Sequence, residues 1–161
     1  MRVRFFDTRL TEKGCTALAE AKGVNYEPVG KINCPEAAAM LARELLELDR
    51  RAEEHVYMAA LNGKGRLLGL SLISKGTVNA SLIAPREIFI RALLVGASQI
   101  LLMHNHPAGS ITPSREDIKM TEQIKKAGEL IGVELADHII IAANGGGYLS
   151  FREEGLLQPS K

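Results

Sequence analysis

The sequence predicts an α/β sandwich whose mixed β-sheet is covered by helices on both faces. Three observations point there. Short, continuously apolar runs such as "SQILLMH" (98–104) and "DHIIIAA" (137–143) have the character of strands buried on both sides. Segments of helical periodicity alternate with such runs. Two further apolar runs, "EHVYMAAL" (54–61) and "RLLGLSLIS" (66–74), are joined by the four-residue link "NGKG", the pattern of a β-hairpin.

Composition sets the limits. A chain of 161 residues suits one domain with one sizeable core. Aromatic residues make up only 4% and Trp is absent, so that core must be mainly aliphatic. A formal net charge of +1 argues against a broad polyanion-binding face. No apolar run reaches membrane-spanning length, and "MRVRFFDTRL" lacks the long apolar stretch of a secretory signal. Cys15 and Cys34 are too few for a disulfide framework or a CxxC metal site, so a reducing cytoplasm is the expected location.

Residues 1–31 read as a lead-in, with "VRFF" a short strand, "CTALAEAKG" a helical turn or two and "YEPVGKI" an extended approach to the main domain. A helix is expected from Pro35 to about Arg51. Pro35 fits its first position, and Ala38, Leu41, Leu45 and Leu48 recur at helical spacing. The hairpin follows. "PREIFIRALLVGA" (85–97) is a helix apolar nearly all round, hence buried. After the strand at 98–104, Thr112 is expected to cap a helix with Pro113 at its first position. That helix should run to about Ile131, with Ile118, Ile124, Ala127 and Ile131 facing inward. "DHIIIAA" is a second buried strand, "NGGG" a turn and "YLSF" (148–151) a last strand.

Chemistry concentrates in "HNHPAGSITPSRED" (104–117). Side chains alternate along an extended chain, so His104 and His106 project to the same side. They sit at the end of a buried strand, where α/β sheets place their ligands. Pro107, Gly109 and Pro113 force a tight reversal that brings the next helix back toward them. Ser114 and Asp117, three apart near that helix's start, share a face. Two imidazoles and one carboxylate with an open fourth position form a catalytic zinc arrangement. Each part alone has an ordinary explanation. An aspartate in a first helical turn serves the helix dipole, a serine there satisfies an orphan amide, and His-x-His recurs by chance. The combination of His-x-His, seven residues, Ser, two residues and Asp carries the weight.

Other features rank lower. On an alternating strand only one of Asp137 and His138 can face such a site, where it would orient a ligand rather than bind metal. His55 should point to the face opposite its neighbour Glu54. Arg86 and Arg91 suit ion pairs or a small basic patch. "GKGR" (63–66) lacks the spacing of a phosphate-binding loop. Consecutive "HNH" is not the spread motif of the nuclease that shares its letters. No cysteine follows the histidines, which excludes the ligand set of a zinc deaminase.

"HNHPAGSITPSRED" resembles the JAMM metalloprotease motif, in which His-x-His, ten residues and Asp bind zinc. Together with "GTVNASLIAPREIFIRALL" and "LADHIII...YLSFRE" it makes the chain similar to the RadC family of bacterial proteins over roughly residues 32–154. The resemblance implies an MPN domain at 32–154, a three-layer sandwich related in layout to cytidine deaminases, with a tail at 155–161. It implies Zn2+ on His104, His106 and Asp117, and an upstream glutamate at a strand start, which selects Glu54 over Glu53. Zinc lowers the pKa of its bound water to about 7. A non-ligating carboxylate such as Glu54 then takes the proton and passes it to a leaving amine, while Ser114 supports the oxyanion. The implied activity is hydrolysis of an amide or isopeptide bond in a protein or peptide. The alternative expectation is an accessory protein of DNA repair or recombination with little or no peptidase activity. Residues 1–31 are too short for the helix-hairpin-helix DNA-binding region of full-length relatives. The sequence departs from the family pattern at Ala84, Ala108 and "NGGG", none of them ligand positions. The "YLSF" strand and the hairpin offer edges for a homodimer.

Overall fold

A computed structural model of the protein describes residues 1–27, 31–76 and 83–158. Seven strands form one mixed sheet in the order β2-β1-β4-β3-β5-β6-β7. The strands are β1 (Arg2–Leu10), β2 (Thr16–Asn25), β3 (His55–Leu61), β4 (Leu67–Lys75), β5 (Gln99–His106), β6 (Glu134–Ala142) and β7 (Tyr148–Ser150). Three helices, α1 (Pro35–Glu44), α2 (Pro85–Leu94) and α3 (Arg115–Ile131), complete three layers. The expected sandwich is thus present. β5 and β6 pair in parallel across α3, and β3 pairs antiparallel with both β4 and β5.

The period-two alternation of the central strands separates the core into two halves. Leu101 and Met103 of β5 and Ile139 and Ile141 of β6 pack with Ala38, Leu41 and Ala42 of α1. Ile100, Leu102 and Ile140 point the other way, onto Ile88 and Phe89 of α2 and Met120 and Ile124 of α3. Removing one such fully buried side chain, as in Leu102→Ala, costs about 2–5 kcal/mol. At the end of β5 this alternation continues with polar residues. His104 takes the α3 side and Asn105 the α1 side, both within the core.

Several expectations need correction. "CTALAEAKG" is not helical. It lies almost wholly in β2, which pairs with β1 from Arg2↔Asn25 to Leu10↔Thr16, and cross-strand pairing overrides its alanine-rich helix propensity. That hairpin adds two strands to the sheet. Its β1 meets β4 in parallel at Phe5↔Leu70, and the Phe6 ring lies where a side chain at Gly69 would stand. Arg91 of α2 fastens the hairpin through Asp7 (3.7 Å) and Thr8 Oγ1 (3.3 Å).

The first helix stops at Glu44, and Leu48–Arg50 form a separate 3-10 turn after a left-handed Glu47, although Leu48 stays buried. The α2 helix is not buried all round. Only Ile88, Phe89 and Ala92 are covered, while Leu93 and Leu94 are 55% and 49% exposed on its outer side. The cap of α3 is Ser114 rather than Thr112, and the helix begins at Arg115. Its inner face is Asp117, Met120, Thr121, Ile124 and Gly128, with Ile118 and Ile131 exposed. Gly128 sets that rotation, because a side chain there would collide with the Val133 carbonyl at the start of β6. The β5 strand runs through His106, and β6 starts three residues before Asp137. Of the expected segments, residues 28–30 of "YEPVGKI", 77–82 of "GTVNASLIAPREIFIRALL" and 159–161 of the tail lie outside the described residues.

Candidate metal centre

The site forms where β5 ends and α3 begins. His104 and His106 occupy alternate positions on β5, so both rings leave the sheet on the α3 side. After His106 the chain reverses, with the Gly109 N–H donating to the His106 carbonyl at 3.0 Å. Ser114 then starts α3 in a reciprocal capping box. Its Oγ accepts from the Asp117 N–H at 3.0 Å, and its own N–H and hydroxyl donate to Asp117 Oδ2 at 2.7 and 2.6 Å. The box that begins the helix therefore also aims the carboxylate.

Two imidazole nitrogens and a carboxylate converge. His104 Nε2 lies 2.9 Å from His106 Nε2 and 3.3 Å from Asp117 Oδ1, and His106 Nε2 lies 3.4 Å from Asp117 Oδ2. Zinc bonds of about 2.0–2.1 Å in tetrahedral array set ligand atoms about 3.3–3.4 Å apart, and each imidazole nitrogen stands at about that distance from one of the two carboxylate oxygens. His104 and Asp117 are buried, and among the described residues these three form the one such cluster.

The hydrogen-bond network fixes where the ring protons sit. The Thr121 hydroxyl donates to the Asp117 carbonyl at 2.6 Å, which commits its only proton. His138 Nδ1, 2.7 Å from that hydroxyl oxygen, must then donate to it. Neutral His138 is left with a bare Nε2, which accepts from His104 Nδ1 at 2.7 Å. Burial, followed by the nearby His104, pushes His138 well below the usual histidine range, consistent with a neutral ring. Phe151 stacks on it at 4.6 Å and holds its plane. His106 Nδ1 donates to the Ser110 carbonyl at 2.9 Å. In their neutral forms both ligand rings would thus carry their proton on Nδ1 and turn the Nε2 lone pair toward Asp117. Nitrogens this close share a proton or a metal ion, and the donor set of two imidazoles and a carboxylate suits zinc.

A proton competes with a metal for these nitrogens, because a protonated ring donates to the Asp117 carboxylate. Burial alone would push the Asp117 carboxyl up, but His104, His106 and Ser114 outweigh it and hold it far below the carboxylate range. The Asp117 partner raises His106 against the opposing effect of burial.

Glu54, Ala108, Ser110 and Ser114 join His106 and Asp117 around a hollow of about 240 Å³. Glu54 immediately precedes β3, in which Val56 pairs with His104, whereas Glu53 turns outward to Lys75 at 3.1 Å. All five residues singled out in the sequence therefore meet at one place. Asp137 does not. It lies on the α1 side and accepts from Ser150 Oγ and the Arg152 N–H, while His138 faces the site without offering it a ligand atom. His55 points away and stacks on Tyr57. Sequence reasoning missed Thr121 and Asn105. A threonine one turn after Asp117 was a signal for the first. Nothing local marks the second.

A family model described as the RadC-like JAB domain matches residues 32–156. A UPF0758 protein of Clostridium kluyveri is 40% identical over 127 residues, which cover 79% of this chain and 54% of that relative. One from Desulfitobacterium hafniense is 38% identical over 161 residues, covering 93% and 69%. A third, from Pelobacter propionicus, is 35% identical over 177 residues, covering 96% and 76%. The chain thus spans about half the length of the first of these relatives and more of the others. Among the described residues no helix is long and apolar enough to cross a membrane.

Proposed function

Since the chain belongs to the RadC-like JAB domain family, we propose that it is a zinc-dependent hydrolase cleaving an amide or isopeptide bond of a protein or peptide. The observation that carries the reading is the convergence of the His104 and His106 Nε2 atoms on the Asp117 carboxylate, beside a further glutamate. His104, His106 and Asp117 hold the ion, and zinc so held supplies a Lewis acid and lowers the pKa of a bound water to about 7.

Each residue then has a task. Glu54, on the wall of the pocket, takes the proton of the attacking water and delivers it to the leaving amine. The charged Asp117, kept ionised by its partners, stays a ligand across the working pH range. Ser114 donates to the developing oxyanion, a role that requires its hydroxyl to exchange Asp117 Oδ2 for the substrate. Ala108 and Ser110 leave the floor small and uncharged.

The test joins metal content to turnover. Purified protein should carry one zinc per chain, Asp117→Ala should lose it, and Glu54→Gln should keep it. Cleavage of a mixed-sequence peptide library should fall by on the order of 10²–10⁴-fold in Glu54→Gln. Equal cleavage by Glu54→Gln and wild type would remove Glu54 from the mechanism, and stoichiometric zinc in Asp117→Ala would remove the metal assignment.

A further inference from the structure

We propose that Asn105, the residue between the two histidines, is the positioning residue for Glu54, gripping it from the opposite face of the sheet. The inference rests on the acid–base reading of Glu54 above. Alternation along β5 turns Asn105 away from the metal pocket, into the α1 side of the core, where it is 0% exposed. Its Oδ1 accepts from the His55 N–H at 2.8 Å, and its Nδ2 donates to the carbonyls of Glu53 at 3.1 Å and Arg51 at 3.3 Å. One amide thus satisfies three main-chain groups, and two of them flank Glu54 directly.

The buried His55 N–H depends on this partner. Residues 51–54 precede β3 and lie outside its ladder. The His55 N–H is buried, and leaving it without a partner would cost about 1–3 kcal/mol, while the Glu53 carbonyl is shared between Asn105 and His55 Nδ1 at 2.9 Å. The Glu54 carbonyl also accepts from the Gly76 N–H at 2.9 Å. Because Asn105 is bonded through the backbone to His104 and His106, the metal ligands and the glutamate share a single rigid reference. An aliphatic residue at 105 would pack in the same core but leave Glu54 without that reference. Asparagine is suited to the place because it offers an acceptor and two donors at once.

The experiment is a double-mutant cycle on the library peptide most readily cut by the zinc-loaded wild type. Asn105→Asp keeps the acceptor for His55 and loses both donors. It should lower kcat on the order of tenfold to a hundredfold with KM within about twofold, as expected when a reacting group is displaced by about an ångström. Zinc affinity from chelator competition should stay at the wild-type value. In a Glu54→Gln background the same change should have no further effect. A second variant, Asn105→Ser, guards against misfolding by a buried charge and should follow the same pattern.

An equal loss from Asn105→Asp with and without the Glu54 carboxylate would overturn the proposal, as would a fall in zinc affinity parallel to the fall in kcat. Those results leave the acid–base reading standing. Full activity in Glu54→Gln alone, or no cleavage by the wild type, would instead remove that reading and this inference with it.

Discussion

A hollow of about 500 Å³ opens where β5 and β6 begin, twice the size of the one beside His106 and Asp117 where β5 ends. Each contains a buried aspartate. Asp137, in the larger hollow, accepts from Ser150 Oγ and from the Arg152 and His138 N–H groups, so its lone pairs meet protons already in place. Burial is the stronger influence on it and pushes its carboxyl up. Asp117 is just as buried, yet it faces the imidazoles of His104 and His106 and the Ser114 hydroxyl, and their hydrogen bonds drive its carboxyl down. Volume therefore does not identify the reactive end of this sheet. The partners of its aspartate do.

The comparison breaks most plainly on metal content. His106→Ala should lose zinc altogether, whereas Asp137→Asn should keep one zinc per chain by elemental analysis. The reverse result would place the metal in the larger hollow. A smaller effect is expected from His138→Leu, which removes the acceptor of His104 Nδ1–H. Chelator competition should show zinc affinity lowered by about 10- to 100-fold. Unchanged affinity would mean that His104 needs no partner to hold its tautomer.

The same histidine predicts a pH dependence in the metal-free protein. The unfolded chain protonates His138 below about pH 6.5, while the folded protein keeps it neutral, so the unfolded state binds more protons there. Stability conferred by the native fold should therefore decline as pH falls through that value, and more steeply in wild type than in His138→Leu. Parallel denaturation curves from pH 8 to 5 would contradict the burial of a neutral ring. The smallest change is Ser114→Ala, which should cost about 1 kcal/mol in denaturant unfolding through loss of the α3 cap. It should also weaken zinc several-fold, since Asp117 Oδ2 loses its hydroxyl donor. Stability lost without any effect on zinc would confine Ser114 to capping.

Much of the site was legible because its geometry is local. His-x-His on a strand and Ser-x-x-Asp at a helix start each fix a face within four residues. The turn between them is short enough to join the two. The supporting groups were hidden because their partners lie far along the chain. Asn105 binds backbone 50 to 54 residues away, and His104 meets His138 across 34. Alternation allowed only one of Asp137 and His138 to face the metal side, and the register of β6 makes it His138. In the fold, the central strands and the hairpin at 54–74 were legible because both signals are periodic. The β2 strand was not, since Ala17, Ala19 and Ala21 favour a helix until β1 pairs with them. The start of α3 was misread because Pro113 suits a first turn, whereas the side chain that reaches back to cap it is Ser114. Its inner face was misassigned because Asp117 and Thr121 are polar, and periodicity counts only apolar residues.

The N-terminal hairpin has a consequence for the order in which the protein opens. Nearly all its ladder is internal, between β1 and β2, while its register with β4 rests on Phe5↔Leu70 and its docking on the Phe6 ring over Gly69. Little loop-closure entropy is spent on such a unit, and Val3, Phe5 and the Arg91 contacts are what bind it to the remainder. Its amides should be the first of the sheet to exchange with deuterium, ahead of those in β5 and β6. The strand that carries both histidines would then keep its protection until the whole domain unfolds, so the molecule can fray at one margin while its reactive end stays assembled.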